Sequence, residues 1–186
     1  MTSCQFKATF VNKVNIGKLA DESKRLYNNV PVSFIKIDPQ NPQDIEALER
    51  ASKEWIYGNF TTNMYHTACA IRNGSKYYNN HGVYGLTSQE TDFEKLDSNK
   101  ILGLIHISPN EDKSTFIEHL QVNPEYLGMD PKYKGIGTGI LNSIKLFSSK
   151  INCFPAAGRR ATLFYLKNDF HKDPSKYNCY FWKKPV

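Results

Sequence analysis

The residues best placed to do chemistry are three glycines that separate a predicted strand from a predicted helix. Gly135, Gly137 and Gly139 follow a strand-like segment at 116–122, and they open an apolar helical pattern over 140–147. Glycines at such a junction let several main-chain N–H groups point at one anion, and the helix N-terminus adds a partial positive charge. The spacing therefore predicts a phosphate-binding loop.

Spacing excludes two common classes of phosphate-binding loop. A dinucleotide-binding loop has Gly-x-Gly-x-x-Gly within repeated βαβ units, whereas the third glycine here, Gly139, comes one position early. A Walker loop needs Lys and then Ser or Thr directly after its last glycine, and Ile140 and Leu141 stand there instead. The loop must therefore belong to another class of phosphate site.

The rest of the chain must supply the elements that hold this loop. Asn41, Pro42 and Asp44 form a helix start, because Asn can cap a helix, Pro suits its first position and Asp complements its dipole. Residues 7–16 are compatible with a strand and residues 19–28 with a short helix. The other predicted elements are strands at 30–37, 83–88, 101–108 and 116–122, helices at 41–55, 61–72, 136–150 and 161–167, a short apolar run at 151–154, and a terminal hairpin within 170–182.

This order of elements predicts an α/β fold with a mixed, mostly antiparallel central sheet flanked by helices. Consecutive strands without a crossover helix pair antiparallel, while the helix after the glycines makes one crossover. The chain of 186 residues is long enough for one domain with a sizeable core. We interpret residues 30–186 as that domain and residues 1–29 as an N-terminal extension packed on it.

Composition and cysteine placement predict a soluble, cytoplasmic protein. Hydrophobic residues make up 40% of the chain and charged residues 23%. No apolar run approaches the ~20 residues of a membrane helix, and the N-terminus lacks the apolar stretch of a secretory signal. Cys4, Cys69, Cys153 and Cys179 form no Cys-x-x-Cys pair, so we interpret them as reduced thiols and expect no metal site.

Positive charge is concentrated in the last third of the chain. Residues 131–186 contain eleven Lys and Arg against two Asp, a net charge of +9, while the first 130 residues carry −3. The basic third contains the glycines, so it either presents a solvated basic face or attracts a polyphosphate ligand or nucleic acid. Scattered lysines without an aromatic stripe argue against dedicated nucleic-acid binding.

Two motifs, in order, carry a resemblance to a known family. The first runs Leu120-x-Val122-x-Pro124-Glu125-Tyr126 and continues into Lys132-Tyr-Lys-Gly-Ile-Gly-Thr-Gly139; the second runs Ala161-x-x-Phe164-Tyr165-x-Lys167-x-x-Phe170. They resemble the acetyl-CoA motif and the following helix of the GNAT N-acetyltransferase superfamily. The resemblance covers about 101–186 and implies an acyl-CoA N-acyltransferase-like fold, with 30–186 as a single N-acetyltransferase domain.

The sequence departs from the family pattern at four places. Lys132 stands where the family usually has Arg or Gln, and the connector from Tyr126 to Lys132 is longer than usual. Asp169 replaces a glycine, and Gly158 replaces an asparagine. None of these departures removes a main-chain donor from the loop.

The resemblance implies acetyl-CoA as co-substrate, with no metal. Its pyrophosphate would lie on the glycine loop, where glycine lets phosphate approach the main chain and lysine supplies charge; the residues implicated are Lys132, Lys134, Gly135, Ile136, Gly137, Thr138 and Gly139. The pantetheine arm would lie along the preceding strand, in main-chain contact with Leu120, Gln121 and Val122. An amide there would also polarise the thioester carbonyl.

The resemblance also implies two catalytic residues. Glu118 stands where several family members carry a base that prepares the amine; the alternative is a surface carboxylate or ion pair. By strand alternation it should share a face with Leu120 and Val122, leaving His119 on the opposite face. Tyr165 matches the tyrosine that protonates the departing thiolate; the alternative is a core aromatic. His106, in the adjacent strand, is a weaker candidate base.

The resulting hypothesis is an N-acetyltransferase that moves an acetyl group from acetyl-CoA to a primary amine by direct attack in a ternary complex. Two alternatives stay open: a catalytically inactive CoA-binding regulatory module, suggested by the departures, and a transferase whose amine is carried on tRNA, suggested by the basic third. The acceptor would be an amine-bearing small molecule or protein, with nucleic acid and an oligomer left open. Candidates for its pocket, by segment only, are Trp55, Tyr57, Met64, Tyr65 and Tyr180.

Overall fold

A nine-stranded sheet runs through the residues that the structure, a computed structural model, describes: 8–55, 59–110, 112, 114–156 and 158–185. Its strands are β1 (Thr9–Asp21), β2 (Leu26–Lys36), β3 (Gly82–Thr87), β4 (Ile101–Pro109), β5 (Thr115–Val122), β6 (Tyr133–Lys134), β7 (Lys150–Cys153), β8 (His171–Lys172) and β9 (Tyr180–Lys183). Their order in space is β6-β1-β2-β3-β4-β5-β7-β9-β8. Every adjacent pair is antiparallel except β5 and β7. The predicted fold class is confirmed.

Two helices cover each face of the sheet. They are α1 (Pro42–Glu54) and α2 (Phe60–Arg72) on one face, and α3 (Ile136–Phe147) and α4 (Arg159–Lys167) on the other. Adjacent residues of β2 show the division: Ile35 packs into the core under α1 and α2, whereas Phe34 packs into the core under α3 and α4. None of the described helices is long and apolar enough to cross a membrane.

The helix predicted for residues 19–28 is wrong. These residues form the end of β1, a turn at 22–25 and the start of β2, with Leu19 paired to Tyr27 and Arg25 in the left-handed region at φ 52°. Helix-forming side chains in this stretch are overridden by the pairing of two long strands. β2 spans the predicted boundary at residue 29, so the chain from Thr9 onward belongs to the same sheet.

The predicted start of α1 is confirmed, with an addition. The Asn41 side chain accepts a hydrogen bond from the Gln43 amide, and Pro42 occupies the first turn. Asp44 is fully buried rather than exposed at the helix dipole. Its carboxylate accepts from the Asp38 amide at 2.9 Å and from Asn41 Nδ2 at 2.9 Å, so it ties the end of β2 to the helix.

Asp44 should make the protein less stable as pH rises through the acidic range. Burial raises the pKa of Asp44 to about 7, and its hydrogen bonds only partly oppose the shift. The unfolded carboxyl has a pKa of about 3.9, so between about pH 4 and pH 7 the folded state holds the extra proton. The free energy of unfolding should therefore fall by roughly 2–4 kcal/mol over that window through this group.

Urea unfolding at a series of pH values, for the wild type and for Asp44→Asn, checks this. Asparagine keeps the size of the side chain and cannot titrate, so the difference in stability between the two proteins should change with pH as stated. A difference that is constant from about pH 4 to about pH 7.5 would show that Asp44 titrates normally in the fold.

Candidate active site

The glycine loop, residues 132–139, leads from β6 into α3. Gly135 lies in the left-handed region at φ 79° and is the cap residue of the helix, a conformation that glycine adopts without a steric penalty. The amides of Ile136, Gly137 and Thr138 donate to no acceptor among the described residues. These three N–H groups are therefore free to bind an anion at the start of α3.

A side chain at Gly137 or Gly139 would be tightly packed against its neighbours. A Cβ on Gly137 would lie 3.0 Å from two ring atoms of Phe164, and a Cβ on Gly139 would lie 3.2 Å from Ile16 Cγ2. The amide of Gly139 donates to the Gly135 carbonyl at 2.8 Å. Gly139 therefore lets α3 approach β1, and its amide has no hydrogen left for a phosphate.

The N-terminal hairpin holds the glycine loop in place. The Leu19 amide donates to the Lys132 carbonyl at 2.9 Å, and the Tyr27 hydroxyl donates to the Pro131 carbonyl at 2.9 Å. The ammonium of Lys134 lies 3.8 Å from the centroid of the Tyr27 ring, a cation–π contact. Sequence reasoning missed this role because it depends on pairing between segments over 100 residues apart.

Strands β5 and β7 diverge beside the loop. They pair only from Thr115 to Ile117 on β5, and beyond Ile117 the described residues give β5 no partner on that side. The Asn123 amide donates to the Leu102 carbonyl of β4. Since main-chain groups alternate along an antiparallel strand, those of Leu120 and Val122 face the opening between β5 and β7.

Gln121 is placed differently from its neighbours. By the same alternation its main-chain groups face β4. Its side-chain Oε1 accepts from the Thr61 amide at 3.0 Å and from Thr61 Oγ1 at 2.7 Å. Gln121 therefore fastens the N-terminus of α2 to the sheet, and its main-chain groups do not face the opening as those of Leu120 and Val122 do.

The opening between β5 and β7 contains a cavity of 580 Å³, which we call the splay cavity. Beyond residues 117–122 of β5, the residues that border it include Phe60, Leu127, Phe154, Arg160, Phe164 and Tyr165. Tyr165 is 7% exposed and packs edge-on against Phe164 and Phe170. Burial raises the pKa of the Tyr165 phenol, with the nearby Cys153 thiol adding to the shift.

A second cavity lies between α2 and strands β4 and β5. We call this space of 450 Å³ the histidine cavity; its lining includes Asn63, His66, Tyr77, Tyr78, His81 and His106. Glu118 and His119 line both cavities. The two cavities therefore meet at these two residues of β5.

Glu118 occupies a β-bulge at that junction. His119 pairs with His106 and Ile117 pairs with Ile107, so Glu118 is the extra residue on β5. A bulge interrupts the period-two alternation of side chains, so the prediction that Glu118 shares a face with Leu120 and Val122 cannot rest on alternation.

The Glu118 carboxylate lies on the side of the histidines. It accepts a hydrogen bond from Ser108 Oγ at 2.6 Å, and its charge opposes the downward pKa shifts that burial causes at His81 and His119. Among the described residues it forms no ion pair with Lys or Arg. The ion-pair alternative for this residue therefore has no support in the described part of the chain.

No protein-family model matches this sequence, and no curated protein matches it. Solved structures do. A GNAT-family protein from Desulfovibrio desulfuricans superposes with a TM-score of 0.57 at 12% identity, over 82% of this chain and 98% of its own. The PaiA N-acetyltransferase of Thermoplasma acidophilum, in complex with coenzyme A, gives 0.52 at 15% identity, over 82% and 99%. The chain has the GNAT acetyltransferase fold.

Within this GNAT fold, a pair of histidines forms one wall of the histidine cavity. His81 Nδ1 and His106 Nε2 are 2.8 Å apart and share a hydrogen bond. His106 Nδ1 is buried and has no hydrogen-bond partner. Burial lowers the pKa of His106 to about 3, and the neighbouring His81 and His119 add to the shift. His106 is therefore uncharged at neutral pH.

Of the residues proposed from sequence for the acceptor pocket, Trp55, Met64, Tyr65 and Tyr180 do not line the histidine cavity. Trp55, Met64 and Tyr180 are buried in the two cores, and Tyr57 lies outside the described residues. The residues that do line it include Tyr77, Tyr78 and His81, which belong to or follow a turn. The Asn and Gly residues of this segment favour a turn, but turn chemistry gives no sign that neighbouring side chains fold back over the sheet.

Proposed function

We propose that the protein is an acetyl-CoA-dependent N-acetyltransferase that acetylates a primary amine by direct attack in a ternary complex. The observation that carries the proposal is the meeting of the splay cavity and the histidine cavity at Glu118 and His119. One cavity can hold a thioester and the other an amine, with a carboxylate between them. Direct transfer needs both substrates at one point, and the two lining residues that the cavities share support such an arrangement.

The glycine loop and the splay cavity fit coenzyme A. Three unpaired amides, those of Ile136, Gly137 and Thr138, converge at the N-terminus of α3 beside exposed Lys132 and Lys134, a site suited to a diphosphate. The main-chain groups of Leu120 and Val122 are placed to pair with an extended, amide-containing arm as an added strand would. When bound, acetyl-CoA supplies the activated acetyl group.

Glu118 is proposed as the base. A primary amine with a pKa near ~10.4 is mostly protonated at neutral pH, and only its neutral form attacks a carbonyl carbon. Glu118 lines both cavities, and its carboxylate, on the side of the histidines, accepts a hydrogen bond from Ser108 Oγ. It can accept the ammonium proton directly or through one water molecule.

Tyr165 is proposed to stabilise the leaving sulfur. The raised pKa keeps the phenol protonated, so it can donate a hydrogen bond into the splay cavity. The same shift makes complete proton transfer costlier than it would be for an ordinary phenol of pKa about 10 facing a thiolate of about 8.5. We therefore propose that Tyr165 donates a strong hydrogen bond to the departing thiolate. The proton that converts this thiolate into the free thiol originates from the amine.

Calorimetry with coenzyme A and acetyl-CoA, followed by thiol release across a panel of primary amines, tests the proposal. We expect saturable binding and turnover with at least one amine. Tyr165→Phe should bind coenzyme A with affinity within about three-fold of wild type and lower kcat by roughly 100-fold. Tyr180→Phe is the matched control, since Tyr180 is a buried tyrosine of the same core that does not line the splay cavity.

The outcomes separate the alternatives. Absence of heat with either ligand refutes the proposal. Binding without turnover of any amine favours the inactive regulatory module. If Tyr165→Phe and Tyr180→Phe lower kcat equally, the loss comes from altered packing and not from removal of the Tyr165 hydroxyl.

A further inference from the structure

We propose that the histidine cavity takes its acceptor as an amine cation that carries no carboxylate next to the amine. The acceptor class is then an alkylamine or aralkylamine, or a lysine-type side chain, and free α-amino acids are disfavoured. This inference rests on the proposed function and adds the substrate class. It follows from the distribution of charge and hydrogen-bond donors around the cavity.

The described lining of the histidine cavity contains one acidic side chain and no basic Lys or Arg side chain. Glu118 is the only carboxylate among its described lining residues, and no Lys or Arg lines it. Its other titratable groups are four histidines and two tyrosines. Lys36 of β2 does not line the histidine cavity; it lines a separate neighbouring cavity together with His81. A cation placed beside Glu118 is therefore attracted, while a second anion finds no Lys or Arg among the described lining residues to balance its charge.

The His81–His106 pair resists becoming positively charged. A buried N–H without an acceptor is costly, so the unpartnered Nδ1 of His106 is best left without its proton. His106 then carries its proton on Nε2 and donates it to His81 Nδ1 across the 2.8 Å contact. A proton added at His81 Nδ1 would push His106 into the tautomer with a buried, unpaired N–H.

The same arrangement leaves His81 as a donor at its other nitrogen. With Nδ1 accepting from His106, neutral His81 bears its proton on Nε2. His81 therefore does not compete with Glu118 as the base for the amine. Burial also lowers the pKa of both His81 and His119, so these cavity walls stay neutral when the Glu118 carboxylate is charged.

Aromatic rings form the outer wall of the cavity. Tyr77 and Tyr78 meet edge to face at 4.8 Å between centroids, and Tyr78 meets His81 in the same way at 4.9 Å. Aromatic faces and edges suit the alkyl or aryl body of an amine, and tyrosine faces attract cations. They add no positive charge that could balance a carboxylate.

Pairs of acceptors that differ only in a carboxylate test the proposal on the full-length protein with acetyl-CoA. Tyramine is compared with tyrosine, and n-butylamine with norvaline; tyrosinamide controls for the added volume. We expect kcat/KM to be at least about 30-fold higher for the acceptor without the carboxylate, from repulsion by Glu118 and the missing counter-cation. Equal or higher values for the amino acids overturn the proposal.

A variant of His66 tests the charge argument directly. His66 is exposed on α2 and lines the cavity, so His66→Arg adds a permanent cation there with little cost to folding. The ratio of kcat/KM for tyramine to kcat/KM for tyrosine should fall by roughly 10-fold in His66→Arg. In His66→Gln the same ratio should stay within about two-fold of wild type. No change in His66→Arg contradicts the proposal.

Binding can be measured without turnover. In the complex with coenzyme A, n-butylammonium should shift the imidazole nitrogen signals of His81 and His119 in NMR spectra, and n-butyrate at equal concentration should not. If neither probe shifts these signals, or if butyrate alone shifts them, the inference is overturned. Loss of coenzyme A binding in calorimetry would instead refute the proposed function, so the two failures are distinguishable.

Discussion

Thr138→Glu should abolish coenzyme A binding while leaving α3 at least as stable as before. Thr138 is exposed at the third residue of the helix, where a carboxylate is favourable because it complements the dipole. The same carboxylate would lie within a few ångströms of the proposed diphosphate site. At an effective dielectric constant of about 20, like charges about 5 Å apart repel by roughly 3 kcal/mol, which weakens binding at least about 100-fold.

Thr138→Gln is the matched control, since it has nearly the same shape and no charge. It should bind coenzyme A within about five-fold of wild type. Calorimetry at low and high salt adds a second check, because screening should shrink the gap between the two variants. If Thr138→Glu and Thr138→Gln bind coenzyme A with equal affinity, the glycine loop is not part of the coenzyme site. Urea unfolding of both variants would show whether a change in stability contributes to any loss of binding.

The glycine loop shows what local sequence can predict. The predicted strand, the three glycines and the apolar helix all lie within residues 116–147, so their spacing alone predicted an anion site at what the structure shows to be the start of α3. The division of labour among the glycines could not be predicted in this way. Gly137 and Gly139 owe their lack of a side chain to Phe164 and Ile16, which lie far from them in the chain, and only the packed structure shows these contacts.

The N-terminal hairpin shows where local propensity misleads. Residues 19–28 contain good helix formers, yet they pair as strands because β1 and β2 gain a continuous ladder and bury Ile16 and Val32. The consequence reaches the site, since β1 also pairs with β6 and Tyr27 holds Lys134. No pattern within the first 30 residues could have indicated a partner beyond residue 130.

The bulge in β5 is a third kind of feature, which the period-two pattern of the sequence does not indicate. The family resemblance implied Glu118 as a site residue, but strict alternation would have placed its side chain with Leu120 and Val122. One inserted residue opposite His106 and Ile107 brings the carboxylate next to the histidines. His81 joins it from the segment between α2 and β3, whose sequence indicates only a connection between elements.

Glu118→Gln should lower kcat by roughly 100- to 10,000-fold at pH 7 and leave coenzyme A affinity within about three-fold of wild type. Glutamine keeps the oxygen that accepts from Ser108 Oγ, so the junction of the two cavities should hold its shape. What it loses is the ability to take a proton from the ammonium. Stopped or continuous thiol-release assays on both proteins, with calorimetry for binding, measure the two effects separately.

The pH dependence distinguishes a base from a residue that only shapes the site. Each pH unit below the amine pKa of about 10.4 costs about ten-fold in neutral amine, so a variant that lacks the base should recover roughly ten-fold per unit as pH rises from 7. The kcat of the wild type should rise less steeply with pH, and the difference in kcat between the wild type and the variant should close towards pH 9.5. Ser108→Ala, which removes only the hydrogen bond to Glu118, should cost about ten-fold or less and keep the wild-type profile. A Glu118→Gln enzyme with wild-type rate at pH 7 would return Glu118 to the role of a surface carboxylate and make His119, the other residue shared by both cavities, the next candidate for the base.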